Sequence, residues 1–341
     1  MISYEQKINK LFYYWLIITF FLVFIMIAVG GLTRLTDSGL SITEWELFSG
    51  ILPPTNLEEW NRYFSLYKNI PQYQLINNSM SLDEFKIIFY WEYFHRMLGR
   101  IIGLFFLIPF IFFILIKIID KWYLSNCFLI LFLILLQGFV GWYMVKSGLV
   151  NNVSVSHYRL ATHLVLAFFI ISIIFWTLLN IINKSKNNFF INKNNNYLFY
   201  PLFFLMLLQI IFGAFVSGLD AGRIHQTWPL MNSSYFPDDA QINSIKDYFN
   251  FDNHALVQFY HRNIAYLISF CIIISGIVIF KKRNFRLFKP FYLVFTLLVV
   301  QIFLGVFTLI SGLNIYLASV HQLFSLLLSL SLINLYYRYI N

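Results

Sequence analysis

Eight long hydrophobic stretches dominate the sequence and are separated by short polar turns and two longer polar segments. They lie at about 14–32, 94–116, 122–145, 157–182, 198–217, 258–280, 288–310 and 317–338. Each is close to the roughly 20 residues with which an α-helix crosses a hydrocarbon core about 30 Å thick. Lipid cannot satisfy backbone polar groups, so each stretch should be helical. The pattern predicts an all-α integral membrane protein with eight transmembrane helices.

The second half of the sequence repeats the first. The tetrapeptide YFHR that ends in His95-Arg96 returns as FYHR, which ends in His261-Arg262. A Ser-Gly-Leu tripeptide at 147–149 returns at 311–313, and a further histidine follows each copy. Other matched positions are Gly30 with Gly213, Asp37 with Asp220, Gln137 with Gln301, and Gly141 with Gly305.

The repeat unit contains four helices, and this even number makes the halves parallel repeats about an axis along the membrane normal. The economical architecture is two tandem four-helix bundles related by pseudo-twofold symmetry. We expect an N-terminal half at 1–182 and a C-terminal half at 198–341. Residues 183–197 should form a flexible cytoplasmic linker with no fold of its own.

Two longer polar segments, about 33–90 and 218–256, occupy equivalent places after the first helix of each half. Both are rich in Pro, Asn, Trp and acidic residues, which predicts that they lie outside the membrane. Within the first segment, 56–68 and 81–90 have amphipathic character and are expected on the membrane surface.

The charges indicate the orientation of the chain. Of its 341 residues, 59% are hydrophobic and only 11% are charged, which excludes a soluble domain. Thirteen of the 24 basic residues, but only two of the 15 acidic ones, fall at the N-terminus, at the C-terminus and in the turns on the same side. By the positive-inside rule that side is cytoplasmic, and both termini lie on it. The net charge of +9 therefore reports topology, and nucleic-acid binding is not expected.

Four histidines at duplicated positions suggest the chemistry. His95, His163, His261 and His321 each lie near the start of a helix that runs inward, so all four should lie at the outer end of the membrane. A single histidine there is more often an interfacial or hydrogen-bonded side chain. Four at repeated positions favour two haem irons, each held by two imidazoles from facing helices. Two histidines per half make a poor site for a bare zinc or iron ion.

The other three histidines, His157, His225 and His254, fall outside the repeat and are interpreted as solvated or structural.

An arginine directly follows the first histidine of each half. A charge in this setting needs a partner, which predicts that Arg96 and Arg262 bind haem propionates. The alternative is an ion pair with a nearby acid such as Asp37 or Asp220.

Glu92 breaks the symmetry of the two halves. It lies three residues before His95 on the same helix face, whereas the matching residue of the second half is Gln258. A carboxylate can accept a proton or stabilise a cationic intermediate, and an amide cannot. We therefore expect reaction in the N-terminal half and a resident cofactor in the C-terminal half. The alternative is that Glu92 merely pairs with Arg96 or Arg100.

Several motifs resemble those of the haem A synthase family. The run GGLTRLTDSGLS at 30–41, followed by GILPP at 50–54, is similar to the family's opening signature. EYFHR at 92–96 resembles its Glu-x-x-His-Arg motif, and LDAG at 219–222 with WPLM at 228–231 resembles its second external segment. The likeness extends from the first helix through His321. Because no cysteine lies in the external segments, the chain looks like the proteobacterial and mitochondrial branch.

The resemblance implies oxidation of the haem O methyl group to the formyl group of haem A by successive hydroxylations, in a bacterial inner membrane, for terminal oxidase assembly. By position, His95 and His163 would hold the substrate haem O, and His261 and His321 a haem b cofactor. Glu92 would be the catalytic carboxylate. Expected partners are haem O, haem A and membrane lipid, with haem O synthase and an electron-transfer protein as further candidates.

Two other classes of protein fit the sequence less well than a haem A synthase. A dihaem electron carrier would connect the two membrane faces, whereas all four histidines here fall at the outer side. A repeat-built transporter or haem chaperone would need a polar path, and the inner ends of these helices lack polar residues.

Overall fold

The computed structural model describes residues 4–44, 49–117, 119–150, 152–190 and 199–341, and these fold into helices joined by turns and loops. Eight of the described helices are long and apolar enough to cross a membrane, which confirms the eight predicted spans. The α-helices are α1 (Tyr4–Leu35), α2 (Leu57–Lys68), α3 (Pro71–Leu75), α4 (Leu82–Leu115), α5 (Lys121–Gly148), α6 (His157–Ile182), α7 (Phe199–Gly218), α8 (His254–Lys281), α9 (Phe285–Ile310) and α10 (Ile315–Ile340).

Helix α4 shows how an apolar helix divides its surface between lipid and protein. Its exposed and buried apolar side chains each recur every three or four residues, so they form two stripes. The exposed stripe is suited to contact with lipid. Its members are Ile101, Leu104, Ile108, Ile111 and Leu115, and the buried members are Ile102, Phe106, Phe110 and Phe113.

Residues 81–90, which are expected on the membrane surface, instead form the first turns of a membrane helix. Ser81 and Glu84 form a capping box that starts α4 at Leu82, and the helix then runs unbroken to Leu115. Its 34 residues extend roughly 51 Å, well beyond the hydrocarbon core. The amphipathic character of 81–90 serves instead to pack this extension against the external segment.

An aromatic cluster holds the first external segment on that extension. Trp60 and Phe64 of α2 meet Phe85 and Phe89 of α4 at ring-centroid distances of 5.0–6.5 Å. Tyr67 is fully buried beside them. The segment therefore packs on the first turns of α4, which precede His95 along the helix.

The chain divides into two compact units, Met1–Leu178 and Leu179–Asn341. In each unit the first membrane helix ends in the same left-handed turn, because Asp37 and Asp220 both have φ of 51°. Aspartate is among the few residues that adopt this conformation readily. The pseudo-twofold axis and the boundaries at 182 and 198 stay predictions.

The described part of the predicted linker, 183–190, is tied to the end of α10. The Tyr336 hydroxyl donates to the backbone carbonyl of Phe189 at 2.8 Å. The remaining linker residues, 191–197, lie outside the described part of the chain.

Candidate functional site

The first unit brings two of the predicted ligands close together. The ring centroids of His95 on α4 and His163 on α6 are 6.4 Å apart, with the planes inclined at 50°. Two bonds of about 2 Å between one metal ion and two facing imidazole nitrogens give nearly this spacing. The gap thus fits a single metal ion between the rings.

The second unit places its histidines on the corresponding helices. His261 lies on α8 and His321 on α10, and the two rings are within electrostatic range of each other. Each unit therefore contains one imidazole pair.

Every one of these rings lies against a glycine of another membrane helix in its own unit. A Cβ added to that glycine would meet Cε1 of the imidazole at 2.9–3.2 Å, which is closer than side chains normally pack. The glycines thus make room for the rings and fix their positions. The pairs are Gly30 with His95, Gly141 with His163, Gly213 with His261 and Gly305 with His321.

The sequence signalled these glycines, because they recur in the repeat, but it did not show that they touch the histidines. In the sequence, Gly30 with Gly213 and Gly141 with Gly305 are only matched positions of the repeat. The repeated order of a glycine on one helix and a histidine on a later helix was the available clue.

A glutamine side chain contacts three of the four rings. The Nε2 of Gln137 lies 3.3 Å from Nε2 of His163. The Nε2 of Gln209 lies 3.2 Å from Nδ1 and 3.3 Å from Nε2 of His261. The Nε2 of Gln301 lies 3.4 Å from Nε2 of His321. Each glutamine lies four residues before the glycine that packs on the same ring, hence on the same helix face.

The donors suit a haem better than a bare metal ion. No group of three or more His, Cys, Asp or Glu residues able to hold a metal ion occurs in the described ranges. The Nδ1 atoms of His95, His163 and His321 are buried without a hydrogen-bond partner there. Paired imidazoles with a vacant nitrogen match an iron whose remaining four ligands come from a porphyrin.

Glu92 is buried, with 2% of its surface exposed, and both carboxylate oxygens are occupied. One oxygen accepts hydrogen bonds from Arg96 at 2.6 and 3.0 Å. The other accepts from the Ser41 hydroxyl at 2.7 Å and the Ile42 amide at 2.8 Å. Four donor atoms therefore surround this one carboxylate. The alternative that Glu92 pairs with Arg96 is therefore observed, and Glu92 also holds the external segment.

The matching amide of the second unit makes different contacts. Gln258 donates to the backbone carbonyl of His225 at 2.9 Å. Arg262 donates to the same carbonyl at 3.0 Å and to the carbonyls of Thr227 and Leu230. An arginine thus donates to the external segment in both units, but only in the first unit does that arginine also pair with a carboxylate.

Arg96 also faces an open cleft of the first unit. Lys146 and Trp142 of α5 line the same cleft, together with Ile42, Thr43 and Glu44. The Lys146 ammonium lies 5.4 Å from the centroid of the Trp142 ring. The cleft also contains one acid, Glu44, whose carboxylate pairs with Arg62 at 2.6 Å. The two basic side chains Arg96 and Lys146 outnumber it and suit an anionic ligand. The repeat position of Lys146 is Ile310, so the second unit has no equivalent.

The three histidines outside the repeat occupy different settings. His225 is buried and lies 3.0 Å from a carboxylate oxygen of Asp239. His157 is also buried, and its ring lies 4.0 Å from that of Tyr158. His254 is exposed at the start of α8.

Comparison with known proteins gives one consistent result. Residues 13–333 match the COX15-CtaA family, described as cytochrome oxidase assembly protein. A haem A synthase of Pelagibacter ubique is 53% identical over 313 residues, which are 92% of each chain. That of Parvibaculum lavamentivorans is 45% identical over 76% of this chain and 75% of its own. That of Flavobacterium psychrophilum is 40% identical over 95% of this chain and 96% of its own.

Proposed function

Because this chain belongs to the COX15-CtaA family of cytochrome oxidase assembly proteins, we propose that it is a haem A synthase, an oxidoreductase that converts haem O to haem A. The observation that carries the proposal is the imidazole pair of the first unit, whose centroid spacing of 6.4 Å fits one iron between the rings. Two successive two-electron oxidations of the haem O methyl carbon, each of which adds one oxygen atom and needs an external oxidant, give a geminal diol that loses water to form the formyl group.

In this proposal the two units hold different haems. His95 and His163 hold the substrate haem O, and His261 and His321 hold a resident haem b. The iron and porphyrin supply the oxidation chemistry when bound. The protein supplies fixed imidazoles, because each ring is held against a glycine and cannot swing freely.

Glu92 acts in the substrate unit as a fixed negative charge. Its oxygens are already engaged by four donors, so stabilisation of developing positive charge suits it better than proton transfer. Ser41, Ile42 and Arg96 hold the carboxylate in position. Gln258 places no charge at the matching position, in agreement with a cofactor that is not transformed.

The basic cleft of the first unit receives the haem O propionates. Arg96 and Lys146 both line it, and a guanidinium and an ammonium are suited to bind carboxylates. In the second unit Arg262 would bind the propionates without a lysine beside it. Haem O itself enters from the lipid, where its isoprenoid tail makes it soluble.

The protein is a multi-pass membrane protein. We place it in the inner membrane with both termini in the cytoplasm, as the distribution of Lys and Arg favours. The external segments and the four histidines then lie on the periplasmic side.

The direct test is expression in a host that makes haem O but not haem A, followed by extraction and separation of the pigments. The wild-type protein should yield haem A and its hydroxylated precursor. A His95→Ala variant is the matched control, because it removes a ligand of the substrate unit alone and should yield neither. If the inserted wild-type protein binds haem but leaves haem O unchanged, the result would favour a dihaem electron carrier instead.

A further inference from the structure

One of the four histidines lacks the glutamine that the other three possess. Gln137, Gln209 and Gln301 each stand four residues before the glycine of their site. At the fourth site, four residues before Gly30, the residue is Met26. The ring concerned is that of His95.

The neighbouring helix is adapted to this methionine. A Cβ at Gly99 would lie 3.3 Å from the Met26 terminal methyl group, so Gly99 makes room for it. Gly99 follows His95 by four residues. The residues four positions after the other three histidines are Ala167, Ala265 and Ser325, each of which carries a Cβ.

The difference matters for metal ligation. A histidine that binds a metal normally donates its other ring N–H to an acceptor, which orients the ring and makes it a better ligand. The amide oxygens of Gln137, Gln209 and Gln301 are buried without partners among the described residues. Half a turn of the Gln209 or Gln301 amide would offer that oxygen to the ring it already contacts. The same turn at Gln137 would also break the bond from its amide N–H to the backbone carbonyl of His163 at 3.0 Å. Met26 offers only a thioether, which is a weak acceptor on a flexible chain.

From this we infer that His95 is the exchangeable axial ligand of the substrate haem, and that Met26 keeps it exchangeable. The inference rests on the proposed function and deepens it. In the second unit both rings contact a glutamine, as suits a haem that stays bound. In the first unit only His163 does, so one firm and one weak ligand hold a haem that must enter as haem O and leave as haem A.

The test compares Met26→Gln with Met26→Leu in protein purified from a host that makes haem O. Transfer of haem to apomyoglobin and carbon monoxide binding after reduction are followed, and pigment separation assigns each haem to its unit. Met26→Gln should slow haem O release and weaken carbon monoxide binding about 10- to 100-fold, the usual effect of a supporting hydrogen bond. Met26→Leu, which has a similar size and no acceptor, should behave as wild type.

A second variant makes the converse change in the other unit. Gln301→Met should speed release of haem b and allow it to bind carbon monoxide. The inference is overturned if Met26→Gln leaves haem O release and carbon monoxide binding unchanged. It is also overturned if Gln301→Met leaves haem b bound as tightly as before. A wild-type protein with no haem in the first unit would overturn the proposed function as well. If haem O is bound but its release is the same in Met26→Gln, only the inference fails and the proposed function is unaffected.

Discussion

Replacement of Gly141 by alanine tests whether the glycines set the position of the imidazoles. The added Cβ would lie 3.0 Å from Cε1 of His163, whereas carbon atoms in contact prefer about 3.5–4.0 Å. The ring must therefore move by roughly 0.5–1 Å, and overpacking of this kind costs about 1–3 kcal/mol. If that energy is drawn from iron ligation, haem O should bind the first unit about 5- to 150-fold more weakly.

Gly138 on the same helix is the matched control, because a Cβ there would meet nothing within 4 Å. Alanine favours a helix over glycine by roughly 0.5–1 kcal/mol at either position, so the comparison cancels this gain. Optical titration with haem O should show weakened binding for Gly141→Ala and wild-type binding for Gly138→Ala. The His163→Ala variant gives the reference for complete loss of haem O binding to the first unit. Equal affinities for the two alanine variants would refute the proposed contact between glycine and imidazole.

Three further predictions concern the groups around the histidines. Glu92→Gln should keep both haems, since no ligand changes, but should lose conversion of haem O. The control Glu58→Gln, which removes an exposed charge, should convert haem O normally. Full conversion of haem O by Glu92→Gln would contradict a catalytic charge. Arg262→Lys should speed proteolysis within 218–256, because an ammonium cannot reach three carbonyls, at a cost of about 1–3 kcal/mol. Burial raises the pKa of Tyr67 above its usual value of about 10, so its contribution to stability is complete below that pH and is lost above it. Proteolysis of the first external segment should accelerate in alkali, and Tyr67→Phe should remove that dependence on pH. The same pH profile in the wild-type protein and in Tyr67→Phe would contradict the prediction.

Much of the fold was predictable because lipid imposes strict rules on sequence. Apolar length alone placed the eight helices, and the repeat singled out the four histidines. Periodicity misjudged residues 81–90, since their amphipathic face packs against α2 rather than against lipid headgroups. A one-dimensional pattern does not specify which surface an amphipathic helix covers.

The contacts at the site depended on three-dimensional neighbours that the sequence does not display. The alternative that Glu92 pairs with Arg96 came from their spacing on one helix. The bonds to Ser41 and Ile42 join residues about 50 positions apart, and no local pattern predicts them. Lys146 is replaced by Ile310 in the second half, but only the structure shows that it shares a cleft with Arg96.

The most direct measurement is the number of low-spin, bis-imidazole haems that the purified, haem-saturated protein carries, determined by electron paramagnetic resonance. The wild-type protein should carry two, and replacement of His261 or His321 by alanine should abolish one signal while the other persists. Two undiminished signals in both variants would contradict the assignment of one imidazole pair to each unit.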